Sequence, residues 1–256
     1  KNRPWFVGWM NNWQYSDAVP LDTSVYCGTN TFPRALSLVN TPNGLCLKSE
    51  PVSTLGLLRS NEVYTANVGK ISQTWRAENI NELSSGAAII VCQFGEERQG
   101  WKLTLSNDND ESVVFSFQTT TNRVSLDRKK SGHTKFNANF ASSAHTGTLH
   151  SEEHAQKAMI LVDRSSVELF INDGRMVLTD LVYPTTPYTH VSIEPTDGTL
   201  DVKQLRVTAV TLDQYTGLQQ PNVGHKGNAI QLIDGQIVIC TSEGKRYNIL
   251  GVLLSE

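Results

Sequence analysis

Cysteine is sparse and never closely paired. Cys27, Cys46, Cys92 and Cys240 are the only four, and none forms a C-x-x-C pair. That excludes zinc-ribbon and thioredoxin-like chemistry, and leaves small buried apolar residues or a disulfide between some pair. Long apolar runs are missing too; none approaches the ~20 residues of a membrane-spanning helix. Neither sign of charge dominates: 22 Lys and Arg stand against 25 Asp and Glu, a formal net charge of −3. With no basic stripe to follow a phosphate backbone, nucleic acid is not an expected partner. No asparagine lies in an N-x-Ser/Thr glycosylation pattern, an absence unusual in a secreted eukaryotic glycoprotein, so a bacterial source is expected. No window sustains a 3.6-residue apolar period, so helix content should be low.

What remains is an ordinary globular composition, 39% hydrophobic and 18% charged over 256 residues. That is enough for one large domain or two small ones. The chain opens on Lys1-Asn2-Arg3 and runs at once into PWFVGWM, without initiator Met, signal peptide or cap. It reads as a piece of something longer.

The strand pattern is clearest from Lys157 to Pro184, KAMILVDRSSVELFINDGRMVLTDLVYP. Val167, Leu169 and Ile171 alternate with Glu168, Phe170 and Asn172, the period of a strand with one face on a core. Asn172-Asp173-Gly174 then marks a hairpin, because Asp-Gly tolerates the positive φ of a type I′ turn. Similar runs are expected at 63–70, 71–78, 87–94, 101–106, 112–118 and 123–127. They continue at 157–162, 166–171, 175–183, 190–194 and 199–211, with turns at the ~8–12-residue spacing of a sandwich or barrel. The fold expected is all-β: an antiparallel sandwich over 63–212, preceded by a connector over 51–62. Residues 1–50 read as strands from Trp5 to Tyr15, within Ser24–Asn40 and at Leu45–Ser49. After linker-like residues 219–228, the tail 213–256 holds strand-like runs at 229–233 and 236–241 around Asp234-Gly235. It loosely resembles small C-terminal appendages of surface-exported bacterial proteins, and an extra hairpin on the sandwich is an equal reading.

Four stretches could carry chemistry. Trp5 to Tyr15, WFVGWMNNWQY, interleaves aromatics with amides, which suits either a sugar pocket or a core strand. His150-Ser151-Glu152-Glu153-His154 fits H-x-x-E-H, but in a short polar insertion rather than the stable helix a zinc site needs, so a solvated loop is expected. Asn107 to Glu111, NDNDE, lacks the glycine and spacing of a calcium loop and reads as a hairpin tip. Leu126 to Gly132, LDRKKSG, reads as a solvated turn, with a sugar-contacting rim as the alternative.

Two of these stretches carry a resemblance. VDRSSVELFINDGRMVLT (162–179) closely resembles the C-terminal β-sandwich of family 32 glycoside hydrolases, the levanases, inulinases and invertases. GWMNNWQY (8–15), followed by Phe32-Pro33-Arg34-Ala35-Leu36, resembles the last propeller blade of the same family. Phe32 and Ala35 depart from the leucine and glutamate common there. The resemblance implies that 1–50 is a remnant of that blade and that Trp9 lies by a fructose pocket, with Asn12 and Trp13 as its wall. It implies fructan or sucrose as substrate, the propeller portion of the same protein as partner, no cofactor or metal, and a secreted, periplasmic or cell-surface location. WMNN also resembles the opening of the family's nucleophile motif WMNDPNG, but with Asn12 where the aspartate would stand. WMNDPNG-, RDP- and EC-like motifs, which carry the family's catalytic acids, are all missing. No catalytic residue is therefore assigned, and the chain alone is expected to be inert. A stand-alone fructan-binding module and a structural or dimerisation domain are the rival readings.

Overall fold

The computed structural model describes residues 3–20, 29–42, 44–150, 153–210, 229–233, 236–240, 245–248 and 253–255. The chain divides into two compact units, Lys1–Thr211 and Leu212–Glu256. Cys27 and the linker-like 219–228 lie outside the described residues.

The first unit begins with a small sheet, β1 (Trp5–Phe6), β2 (Arg34–Thr41) and β3 (Gly44–Pro51), paired antiparallel in that order. The expected strand Trp5–Tyr15 is cut short after Phe6. Trp9 makes only a lone bridge to Asn30, and residues 13–18 turn. Asn12 is the cause: its Oδ1 accepts the Gln14 amide at 2.8 Å and its carbonyl accepts that of Tyr15 at 3.1 Å. Such local side-chain bonds compete with a ladder. The expected connector then forms a 3-10 helix, Ser53–Leu58.

A β-sandwich follows, built from β4 (Arg59–Ala66), β5 (Gly69–Ile71), β6 (Trp75–Ala77), β7 (Ala88–Phe94), β8 (Trp101–Ser106), β9 (Ser112–Gln118) and β10 (Arg123–Lys130). It continues with β11 (His145–Thr148), β12 (Lys157–Asp163), β13 (Ser166–Ile171), β14 (Met176–Leu181), β15 (His190–Pro195) and β16 (Leu200–Val210). One sheet has the order β11-β10-β9-β8-β15-β6, and the other β14-β13-β12-β7-β16-β4 with β5 also on β16. Strong alternation puts Trp101, Leu103 and Leu105 of β8 and Phe115 and Phe117 of β9 fully inside, facing Ile90, Ile160, Leu169 and Val207 from the opposite sheet. β8, β9 and β13 begin and end where their sequence pattern places them. β11 was not expected, since HTGT has no apolar alternation; it forms because β10 offers it an edge.

β13 corrects the expectation of a single buried face, because every residue from Ser166 to Ile171 is buried. Val167, Leu169 and Ile171 enter the inter-sheet core. Phe170 enters a second cluster with Leu55, Ile89 and Leu161, against which Phe32 and Leu58 also pack. The connector and the small sheet thus cover what would otherwise be an outer face.

The turn after β13 puts Asn172 and Asp173 at positive φ, 47° and 57°, with Gly174 following at 89°. The central pair is therefore Asn172-Asp173 rather than Asp173-Gly174. Gly174 is needed for another reason. Its carbonyl accepts the Ser49 amide at 2.9 Å, and a Cβ there would lie far inside van der Waals contact of the Ser49 carbonyl. Only glycine lets β3 come so close.

In the second unit β17 (Ala229–Ile233), β18 (Gln236–Cys240), β19 (Arg246–Asn248) and β20 (Leu253–Ser255) pair in that order as an antiparallel meander. The expected Asp234-Gly235 turn lies outside the described residues.

Candidate functional site

The segment 8–18 is shaped by three local features. Residues 8–10 run beside 29–31, with Met10 N bonded to Thr29 O and Thr31 N to Gly8 O. Gly8 N also donates to Thr31 Oγ1 at 2.9 Å. The Asn12 turn then throws Trp13 outward and Tyr15 inward. Trp9 is 41% exposed and Trp13 87%, their ring centroids 4.9 Å apart with planes at 55°. Asn12 is exposed beside them, with its Oδ1 accepting the Gln14 amide and its own backbone N–H donating to Asn11 Oδ1 at 2.9 Å. The three residues that the sequence singles out are thus brought together on one open turn. Two tilted indoles beside an exposed side-chain amide can stack a sugar's CH face and hydrogen-bond its hydroxyls.

Tyr15, the last residue of the aromatic stretch and not one of its three named sugar contacts, anchors this turn. It is 6% exposed, meets Phe136 and Phe140 edge-on, and lies 3.3 Å through its hydroxyl from Arg128 Nη2. Arg128 corrects the solvated-turn reading of LDRKKSG. It is 3% exposed, donates from Nη1 to Leu181 O at 2.8 Å and lies 4.0 Å over the Phe140 ring. The signal that could have found it was phase, since Arg128 continues the inward series Val124, Leu126 along β10.

The two stretches that carry the family resemblance meet at a second buried cluster. Arg34 Nη2 and Glu168 Oε2 form an ion pair at 2.6 Å, with side chains 9% and 6% exposed. Glu168 Oε1 accepts the Phe32 amide, Arg34 also reaches Thr179 Oγ1, and its guanidinium lies 5.2 Å over Phe170. This pair fixes the small sheet, and with it the Trp9 turn, against the sandwich.

The other candidates resolve as parts of the framework. His150 Nε2 lies 3.0 Å from Cys46 Sγ and His154 Nε2 2.6 Å from Glu96 O, with no helix in the described part of the motif. Among the described residues no three His, Cys, Asp or Glu side chains are grouped to hold a metal ion. NDNDE is a hairpin tip whose Glu111 receives Asn107 Nδ2 at 2.7 Å, Thr185 N at 2.8 Å and Thr185 Oγ1 at 2.9 Å. Burial pushes the Glu111 carboxyl up, but those bonds outweigh it and hold the group below its usual range. Cys92 is fully buried, and burial raises its thiol far above the ordinary range. Cys46 is half-buried, and both are free thiols. On the outer face of the sheet containing β8 and β15, a polar groove of about 560 Å3 is lined by Arg76, Lys102, Thr104, Ser192 and Glu194 among others.

A two-layer antiparallel sandwich, docked through a buried ion pair to a small aromatic-bearing sheet, defines an all-β protein. Residues 58–209, more than half of the chain, match the family described as "Glycosyl hydrolases family 32 C terminal". The chain belongs to that family. It is 30% identical over 212 residues to a levanase of Bacillus subtilis, covering 80% of this chain and 30% of that protein. It is 28% identical to the extracellular exo-inulinase of Aspergillus ficuum, with 80% and 38% covered. The crystal structure of exo-inulinase from Aspergillus awamori superimposes with a TM-score of 0.70 at 22% identity, covering 82% of this chain and 41% of that one. The chain therefore spans well under half the length of these relatives.

Proposed function

We propose that this chain is the C-terminal part of a family 32 fructan hydrolase: a last-blade remnant at 1–50, a connector at 51–62, the sandwich at 63–212 and an extension at 213–256. One observation carries the reading. Among the described residues the exposed large apolar side chains are Trp5, Phe6, Val7, Trp9, Trp13, Leu38, Leu45 and Leu47, all within the small sheet and its turn. The sandwich buries its own apolar residues, whereas the small sheet presents a face that suits neighbouring blades. The parent would cleave β-fructosidic bonds of levan, inulin or sucrose with retention of configuration. Such chemistry needs two carboxyl groups ~5–5.5 Å apart, and the motifs that supply them in the family are not in this chain. The chain alone is inert; Trp9, with Asn12 and Trp13 beside it, contributes to sugar contact. A secreted, periplasmic or cell-surface setting is supported by the relative named as an extracellular exo-inulinase.

The second reading, a fructan-binding module, is favoured by the exposure of Trp9 and Trp13 as a pair. Affinity electrophoresis in levan and inulin gels, with a reducing-sugar assay on the same preparation, separates the two. Retardation without sugar release, weakened in Trp9→Ala and Trp13→Ala, fits a contact surface on an inert part. Sugar release by the purified chain would end the first reading, and no retardation would end the second.

A further inference from the structure

Asp180 is a carboxylate in an unusual position. It lies on β14, its side chain is 3% exposed, and its Oδ2 has no hydrogen-bond partner among the described residues. Its one hydrogen bond there is to His145 Nδ1 at 2.6 Å, while Arg128 Nε stands off at 3.6 Å and also lacks a hydrogen-bond partner. His145 sits on β11 with half its side chain exposed. The three residues come from β10, β11 and β14, so they tie the edge of one sheet to the edge of the other. From Arg128 the contact passes to the Tyr15 hydroxyl, and so to the turn that carries Trp9 and Trp13.

We propose that His145, Asp180 and Arg128 form an acid-tightened latch, a set of positioning residues that holds the Tyr15 end of the Trp9–Trp13 turn against the sandwich.

The charged groups that face His145 are Asp180 and Arg128. The other elements packed on the cluster bring the Tyr15 and Tyr183 phenols and the Phe136 and Phe140 rings. Glu168, on the neighbouring β13, is bound to Arg34. A buried carboxylate with an unmet oxygen favours the cationic imidazole, since hydrogen bonds to a charged donor are the stronger ones. The hydrogen bond to Asp180 raises the His145 pKa; burial opposes it, attraction to Asp180 adds to it, and Arg128 repels. A folded-state pKa above the unfolded one stabilises fully below the unfolded value, about 6.5, and the contribution is lost as pH rises through the folded value. Alkaline solution therefore slackens the latch.

The test is amide exchange at Tyr15, whose N–H bonds Asn12 O, and at Ala18, whose N–H bonds Tyr15 O. It uses the whole chain at about pH 5.5 and about pH 8, with rates corrected for intrinsic exchange. Protection is expected to rise several-fold on acidification in the wild type, and to be independent of pH in His145→Gln. Tyr15→Phe keeps the ring packing, removes the Arg128 contact and should also flatten the response. Equal wild-type protection at both pH values overturns the latch. So does a pH response that survives in His145→Gln, which would leave that residue a merely structural role. That the turn meets sugar rests on the function proposed above, so levan retardation is read beside exchange. Retention tighter at the lower pH in wild type alone supports both. No retention at either pH beside an intact exchange response sinks the sugar reading and leaves the latch standing.

Discussion

Replacing Glu168 with alanine would leave Arg34 buried against Phe6, Phe170 and Thr179 with no carboxylate to meet it. Breaking a buried pair from one side costs about 3–5 kcal/mol. The urea midpoint of Glu168→Ala should fall by the corresponding amount, and the Phe32 amide should lose its exchange protection. The double variant Arg34→Met with Glu168→Leu should recover most of that loss, because an apolar replacement of a whole buried pair is often neutral. A double variant no better than Glu168→Ala would mean that the two side chains are not energetically coupled. At this scale the sequence was half legible. Alternation placed Glu168 opposite Val167 and Leu169 correctly, but the medium it faces could not be read, because its cover comes from Phe32 and Leu55, more than a hundred residues upstream.

Among the elements, the hairpin joining β13 to β14 has most to lose from a small change. Gly174→Ala adds a methyl where the Ser49 carbonyl already stands, at a φ of 89° that L-residues rarely adopt. The expected result is undocking of β3 from the sandwich: limited proteolysis should cut within 34–51 while the sandwich core stays resistant. Unchanged proteolysis would show that the Ser49–Gly174 bond is dispensable. Strands were legible wherever one face is apolar and the next polar, as in β8 and β9, whose inward residues reach zero exposure. They were not legible where pairing alone decides, as in β11, or where a side chain outbids the ladder, as Asn12 does after β1. Arg128 was misread because a run of charges, DRKK, hid the inward phase it shares with Val124 and Leu126.

On the scale of the whole molecule, the apolar surface of the described residues is unevenly distributed. Leu38 and Leu47 are register partners, 65% and 55% exposed, with Leu45 at 72% nearby. Exposed changes of this kind shift stability by no more than about 0.5 kcal/mol, so Leu38→Lys with Leu47→Glu should keep the wild-type urea midpoint. In sedimentation velocity the wild type should self-associate as concentration rises and the double variant should not. A wild type that stays monodisperse would remove the case for an unmet partner on this face. The aromatic density of residues 5–15 was plain in the sequence, and so was the kinship of 162–179. Their meeting through Arg34 and Glu168 was not, since that contact spans 134 positions of the chain. β13 works as a party wall, plastered on both sides and owned by two households. Any evolutionary exchange that moved the sandwich to a new host without residues 32–58 would strip one side bare, exposing Phe170 and a carboxylate whose guanidinium had stayed behind. Recombination in this lineage should therefore carry the stretch from Phe32 onward as a single inherited parcel.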